Sequence, residues 1–208
     1  MKPGLFVLLS LLFLGTTAIL IAWVDRPLAA LIQATPAVGA LGKVLTSALE
    51  WLVLIPVWKH ALAVAAATAG VLLYLLGRAE ARIAWFVAAT LFASHQLADV
   101  LKGVFGRLRP LDQIAAGPDA PMFFVAGNTS FPSGHTALYF GLCLPLALCL
   151  PRWRWPLLAL ASVGGLSRVF ESAHYPSDVL ASAYMVLAVA LLLRTPILRL
   201  ARRIGIRP

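Results

Sequence analysis

The sequence predicts an all-α integral membrane protein with six transmembrane helices and short interfacial helices. Three observations lead there. The 208 residues are 61% hydrophobic and only 12% charged, against ~25% charged in a typical soluble domain. The apolar residues are spread along the whole chain, so there is no soluble half, and residues 1–208 read as a single domain. The 17 Lys and Arg residues, which give a net charge of +9, stand at the ends of apolar runs, where positive-inside bias and anionic head groups favour them. That placement points to membrane lipids and away from nucleic acid as the partner of the basic charge.

The elements follow in order. The first span, Leu5 to Val24, has the ~20 residues a bilayer requires and exceeds the ~7–15 apolar residues of a cleaved signal peptide. Asp25 to Glu50 carries Pro27, Pro36, Gly39 and Gly42 among apolar residues and reads as one or two short interfacial helices. The second span lies between Trp51 and Leu76, with Pro56, Lys59 and His60 marking a late or oblique entry. The third is Ile83 to Leu101, the fourth Thr136 to Leu150, the fifth Leu157 to Val169, and the sixth Asp178 to Leu193. Gly103 to Gly134, with four prolines, is the longest polar connection and the candidate cap. Cys143 and Cys149 are six residues apart on one span and face different ways, which predicts neither a disulfide nor a metal pair. Trp153 and Trp155, beside Arg152 and Arg154, fit an interfacial aromatic belt.

Alternating spans with the N-terminus inside put ten basic residues inside and seven outside. The outside set includes Lys102, Arg107, Arg109 and Arg168. Lys102 ends the third span, His135 begins the fourth, Arg168 ends the fifth, and His174 and Asp178 begin the sixth. All four helix ends therefore lie on one side of the membrane. Lys102, Arg109 and Arg168, three cations gathered at a membrane boundary, repel one another and call for a shared anion. A phosphate suits them: arginine grips it with a planar fork, lysine as a point charge. Ser133, Gly134 and His135 open a helix, whose free N–H groups favour an anion, and Gly134 permits close backbone approach.

Three segments carry a more specific pattern. Lys102 to Pro110 reads K-x6-R-P, Pro132 to His135 reads P-S-G-H, and Ser167 to Asp178 reads S-R-x5-H-x3-D. Together they resemble the three signature motifs of the type 2 phosphatidic acid phosphatase superfamily. The motifs cover Lys102 to Asp178 directly, and the six-span layout extends the likeness to nearly the whole chain. The resemblance implies catalysis by His174, His135 and Asp178. His174 attacks phosphorus and becomes a phosphohistidine. Asp178 holds its other ring nitrogen. His135 protonates the leaving alkoxide and then activates water. It implies phosphate binding by Lys102, Arg109, Ser133, Gly134, Ser167 and Arg168. For Ser167, an ordinary helix-end role is the alternative.

The implied reaction is the hydrolysis of a lipid phosphomonoester or diphosphate of the phosphatidate, phosphatidylglycerophosphate, undecaprenyl diphosphate or lipid A type. No cofactor is expected. The eight acidic residues form no two-metal cluster, so no metal is expected either. The expected location is the inner membrane, multi-pass, with the site facing the periplasm. Oligomeric state is left open. Two rival readings are a vanadate-dependent haloperoxidase, whose known relatives are soluble, and an anion transporter, whose charges would line a route across the membrane instead of collecting on one face.

Some polar residues fall outside the motifs. Asp99 shares a helix face with Lys102 and His95, so it either holds the Lys102 ammonium, with His95 as second partner, or meets a neighbouring helix for packing. Glu171, between Arg168 and His174, either offsets local charge or touches substrate. Arg107, also outside the pattern, reads as a surface or head-group contact.

Overall fold

A computed structural model of the chain describes residues 3–52 and 60–203. Among the described residues it consists of helices joined by turns and loops, with no strand. The first apolar run forms α1 (Pro3–Ile19) and passes through a single π-helical turn (Leu20–Val24) into α2 (Asp25–Gln33). The expected break at Asp25 is therefore not a break in the helix. The extra residue per turn shifts the helical face while the backbone stays bonded. α3 (Pro36–Leu52) follows, so the interfacial region is two helices, the second of them long. Pro56 and Lys59, expected at the start of the second span, lie outside the described residues. That span resumes as α4 (Ala61–Leu75).

The remaining helices are α5 (Ala81–Phe105), the short α6 (Pro110–Ala116), α7 (Gly134–Cys149), α8 (Arg154–Phe170) and α9 (Pro176–Arg203). α5 and α9 both outrun the expected spans. The apolar run ends where the bilayer ends, but nothing in the flanking residues stops the helix there.

α7 is the centre of the bundle. One face packs Leu138, Tyr139 and Cys143 against Val87 and Leu91 of α5 and Ala161 of α8. The other packs Ala137 and Leu144 against Phe86 and Ala98 of α5 and Met185, Val186 and Ala190 of α9. Small residues at these contacts let helices approach closely, as van der Waals packing requires where lipid removes the hydrophobic drive between helices. The outer surface is apolar: Leu11, Leu14, Leu75 and Leu192 are each more than half exposed. In water that would be a liability; against acyl chains it is the expected boundary. Both cysteines are free thiols.

Among the described residues, three stretches are long and apolar enough to cross a membrane: Phe6–Gln33, Ala81–Ala116 and Pro176–Ala201. α4 and α7 are apolar but shorter. A multi-span bundle is therefore clear, while the count of six crossings remains an expectation.

α3 is seated on α8 by a stripe of residues four apart, Gly42, Thr46 and Glu50, which share one helix face. A Cβ on Gly42 would fall 2.4 Å from the Glu171 backbone nitrogen and 2.6 Å from the Phe170 carbonyl carbon. Only glycine allows that approach.

The Gly103 to Gly134 connection folds back on itself. Leu108 N–H donates to the Met122 carbonyl, Phe124 N–H to Phe105, Val125 N–H to Gly106, and Ser130 N–H to Arg107. Arg26 of α2 donates to the Ala120 carbonyl at 3.1 Å, tying the cap to the N-terminal helix.

Candidate active site

The expected site residues arrive from five helix ends. Lys102 is in the last turn of α5. Arg109 is the residue before α6 and is exposed. Ser133, Gly134 and His135 open α7. Ser167 and Arg168 lie in the last turn of α8. His174 follows in the short link to α9, and Asp178 sits in the first turn of α9.

Ser133 is fully buried and caps α7: its oxygen accepts from the Thr136 hydroxyl at 2.9 Å and the Thr136 N–H at 3.4 Å. Capping satisfies a donor that a helix start would otherwise leave open. A Cβ on Gly134 would lie 2.8 Å from Lys102 Nζ, so the bare glycine is what admits the ammonium beside the α7 N-terminus. Lys102 Nζ is 3.5 Å from Asp99 Oδ1, and His95 Nε2 is 3.6 Å from Asp99 Oδ2. The three residues thus meet on one face of α5.

Arg168 is nearly buried and pairs with Glu171 at 3.0 Å and Glu50 at 3.4 Å. Its Nε is buried with no hydrogen-bond partner among the described residues. Glu171 therefore lies on the arginine, which fits the charge-offsetting alternative. Ser167, expected as a phosphate donor with an ordinary helix-end role as the alternative, makes protein contacts on both sides. It is fully buried, donates to the Gly164 carbonyl at 2.9 Å and accepts from Thr46 at 3.0 Å. Its one proton is committed within its own helix, and its oxygen fastens α3 to α8.

His174 is almost fully buried, with Nδ1 3.5 Å from Asp178 Oδ2. That is an ion-pair distance but long for a hydrogen bond, and such contacts tighten only when substrate is present in many active sites. Burial pushes the His174 pKa below the ordinary histidine value. Asp178 opposes the shift, and the charges of Arg168 and Arg109 add to it. The ring is therefore held neutral, the form that carries a lone pair. His135 Nε2 lies 2.8 Å from Glu50 Oε1.

Asp178 is held from several sides. Its Oδ2 accepts from Ser130 at 2.7 Å and from the Tyr175 N–H at 2.9 Å. Its Oδ1 accepts from Arg107. Arg107 is not the surface contact the sequence suggested: it is fully buried. One nitrogen donates to Ser177 and Asp178, and the other to Asp25 of α2 at 2.7 Å. Its guanidinium stacks 4.1 Å from the Tyr175 ring centroid and 4.7 Å from that of Phe123. Asp25, also fully buried, accepts from the Ser177 N–H at 3.2 Å and from its hydroxyl. A buried charge survives only when paired and hydrogen-bonded, and here one arginine is shared by two carboxylates.

Sequence reasoning missed Asp25, Glu50, Arg107 and Ser130. A signal existed for Asp25, a charge directly after a full span, which is costly unless it is paired. None existed for Glu50. Among the described residues, no group of three or more His, Cys, Asp or Glu is arranged to hold a metal ion.

Comparisons with known proteins fit this arrangement. The PAP2 superfamily model matches residues 83–200. A lipid A 1-phosphatase of Rhizobium etli is 36% identical over 110 residues, covering 50% of this chain and 47% of that protein. An undecaprenyl-diphosphatase of Sulfolobus acidocaldarius is 33% identical over 86 residues, 41% of each. The aligned region thus spans about half or less of the length of these relatives. A solved transmembrane PAP2-type phosphatidylglycerolphosphate phosphatase from Bacillus subtilis superposes with a TM-score of 0.61 over 93% of this chain and 96% of its own, at 21% identity. That likeness is one of fold. The family match takes in all three motif segments and the helices that present them, and this all-α, multi-pass membrane protein belongs to the PAP2 superfamily.

Proposed function

We propose that this protein is a metal-independent lipid phosphatase that works through a phosphohistidine. The observation that carries the reading is the pairing of two histidines at one end of the bundle, each beside a carboxylate, with Lys102 and Arg168 facing the same space. His174 Nδ1 faces Asp178, so Nε2 is the attacking atom. It forms a bond to phosphorus as the bond from phosphorus to the lipid oxygen breaks. His135 gives that oxygen its proton. Water then attacks the phosphohistidine, His135 takes a proton from it, and phosphate leaves. The cations stabilise the equatorial oxygens.

A lipid substrate is supported by the apolar outer surface, which delivers ligands from the bilayer to the helix ends. It is also supported by the names of the relatives: lipid A 1-phosphatase and undecaprenyl-diphosphatase. A cavity of about 320 Å³ beside the site, lined by Gln33, Lys43, Leu111, Glu171 and Ser172, has room for part of a head group. By the same reading the chain resides in the inner membrane with the site toward the periplasm, opposite the Arg78 to Arg82 turn. The test is phosphate release in detergent across a panel of lipid monophosphates and diphosphates, with His174→Ala as control. The expected result is turnover of at least one lipid class and none by the variant. A protein inert to every member, or a variant as active as its parent, overturns the reading.

A further inference from the structure

The catalytic histidine of the fourth span has a problem that its motif does not solve. As a general acid, His135 must carry a proton at the moment the lipid oxygen departs. Yet the charges that reach it from its surroundings are mostly positive. Burial already disfavours the charged ring, and Arg168 from α8, Lys102 from α5 and Arg109 from the link before α6 add to that. The ring of Tyr139, on its own helix, is neutral and 6.5 Å away. Cations placed to stabilise a phosphate also disfavour a protonated imidazole. Without a compensating anion, the site that binds the phosphate best would disarm its own acid.

Glu50 supplies that anion, and the fold delivers it deliberately. Its carboxylate oxygen lies 2.8 Å from His135 Nε2, and the same oxygen is 3.4 Å from Arg168. It stands at the end of the stripe that seats α3. Gly42 meets the backbone at the end of α8, Thr46 bonds Ser167 one turn on, and Glu50 reaches the site one turn further. Two separate attachments thus fix the helix so that the third position projects into the anion pocket. Leu49, the neighbouring residue, packs against the core cluster of Leu138 and Tyr139 and sets the rotation of α3.

We infer that Glu50 is the positioning residue of the acid–base histidine, orienting the His135 ring through Nε2 as Asp178 orients His174 through Nδ1. This rests on the phosphatase reading above. No existing motif supplies it: the residue sits more than 80 positions before His135, on a helix that belongs to none of the three signature segments.

The inference has a readout that a purely structural role would not move. A nitrophenolate leaves without protonation, whereas a lipid alkoxide does not. Leaving-group release is therefore measured in single turnover, with enzyme in excess, from p-nitrophenyl phosphate and from a short-chain lipid phosphate. The proteins are the parent, Glu50→Gln, His135→Asn and the double variant. Glu50→Gln should slow lipid release by about 10- to 100-fold, part of the ~100- to 10,000-fold a general acid provides. It should slow nitrophenol release at least tenfold less than that. In the His135→Asn background the Glu50 effect should vanish, since the two act as one unit. Equal losses on both esters, or an undiminished Glu50 effect without His135, would overturn the inference and leave the phosphatase reading intact. So would a Glu50→Gln protein that is faster than its parent and binds vanadate more tightly, because Glu50 would then be only an occupant of the phosphate pocket. A parent that releases neither leaving group sinks the phosphatase reading, and this inference with it.

Discussion

At the scale of single residues, the site divides into what the sequence announces and what only the fold assembles. His135, His174, Asp178, Lys102 and Arg168 sit in short motifs at span ends, where a charged residue has few structural excuses. Arg107 has no such signature. It is two residues from Arg109 in a polar loop, and its partners Asp25, Ser177 and Asp178 are 70 or more residues away in sequence. Pairing across such distances leaves no periodic trace. Yet Arg107 holds one oxygen of Asp178 while Ser130 and the Tyr175 N–H hold the other, which fixes the carboxylate beside His174. Arg107→Met should leave Asp25 and Asp178 buried without their shared cation. Removing one partner of a buried pair costs about 3–5 kcal/mol. Thermal unfolding in detergent should show a loss of that order, with turnover falling in the fraction that stays folded. Unfolding within about 0.5 kcal/mol of the parent would mean that the network carries little. Lysine is no substitute in this account, because a point charge cannot fork between two carboxylates.

At the scale of elements, the apolar runs locate the helices well and their ends poorly. The third span was expected over Ile83 to Leu101, and α5 covers Ala81–Phe105. The sixth was expected to end near Leu193, and α9 reaches Arg203. Hydropathy marks where lipid stops, whereas helix ends are set by caps and backbone geometry. The join of α1 to α2 shows the same limit: Asp25 reads as the end of a span, but a π-helical turn carries the helix through it. α3 is the element whose importance the sequence conceals most. Its amphipathic pattern marks it as interfacial, while its grip on α8 depends on one glycine against backbone atoms. Gly42→Ala should force α3 off α8, since neither the Phe170 carbon nor the Glu171 nitrogen can yield. Overpacking of this kind costs about 1–3 kcal/mol, and because Thr46 and Glu50 move with the helix, turnover should fall by about tenfold or more. Gly39→Ala is the control on the same helix. Its Cβ would meet only the Phe170 carbonyl oxygen, at an ordinary 3.9 Å, and alanine is the better helix former by ~1 kcal/mol. If the two variants behave alike in unfolding and turnover, the seating of α3 does not depend on Gly42.

At the scale of the whole molecule, the bundle places apolar surface around its waist and collects reactive groups at one end. Lys102, His135, Arg168, His174 and Asp178 come from four helices and meet there because alternating helices bring every second end to the same side. That convergence is why three motifs scattered over more than 70 residues make one site. It is also why the phosphate should be handled at the membrane surface and not within a channel. The central claim is that phosphate passes through His174 without a metal. The most direct measurement follows the phosphate itself. The detergent-solubilised protein, treated with excess EDTA, is mixed briefly with a phosphorus-labelled lipid phosphate and quenched in alkali, which preserves phosphohistidine. The digest is then mapped by mass spectrometry. The account predicts label on the peptide that contains His174, absent from His174→Ala and lost when vanadate occupies the pocket beforehand. Label on a different residue, or turnover that disappears with EDTA and returns only with added Mg²⁺ or Zn²⁺, would contradict it.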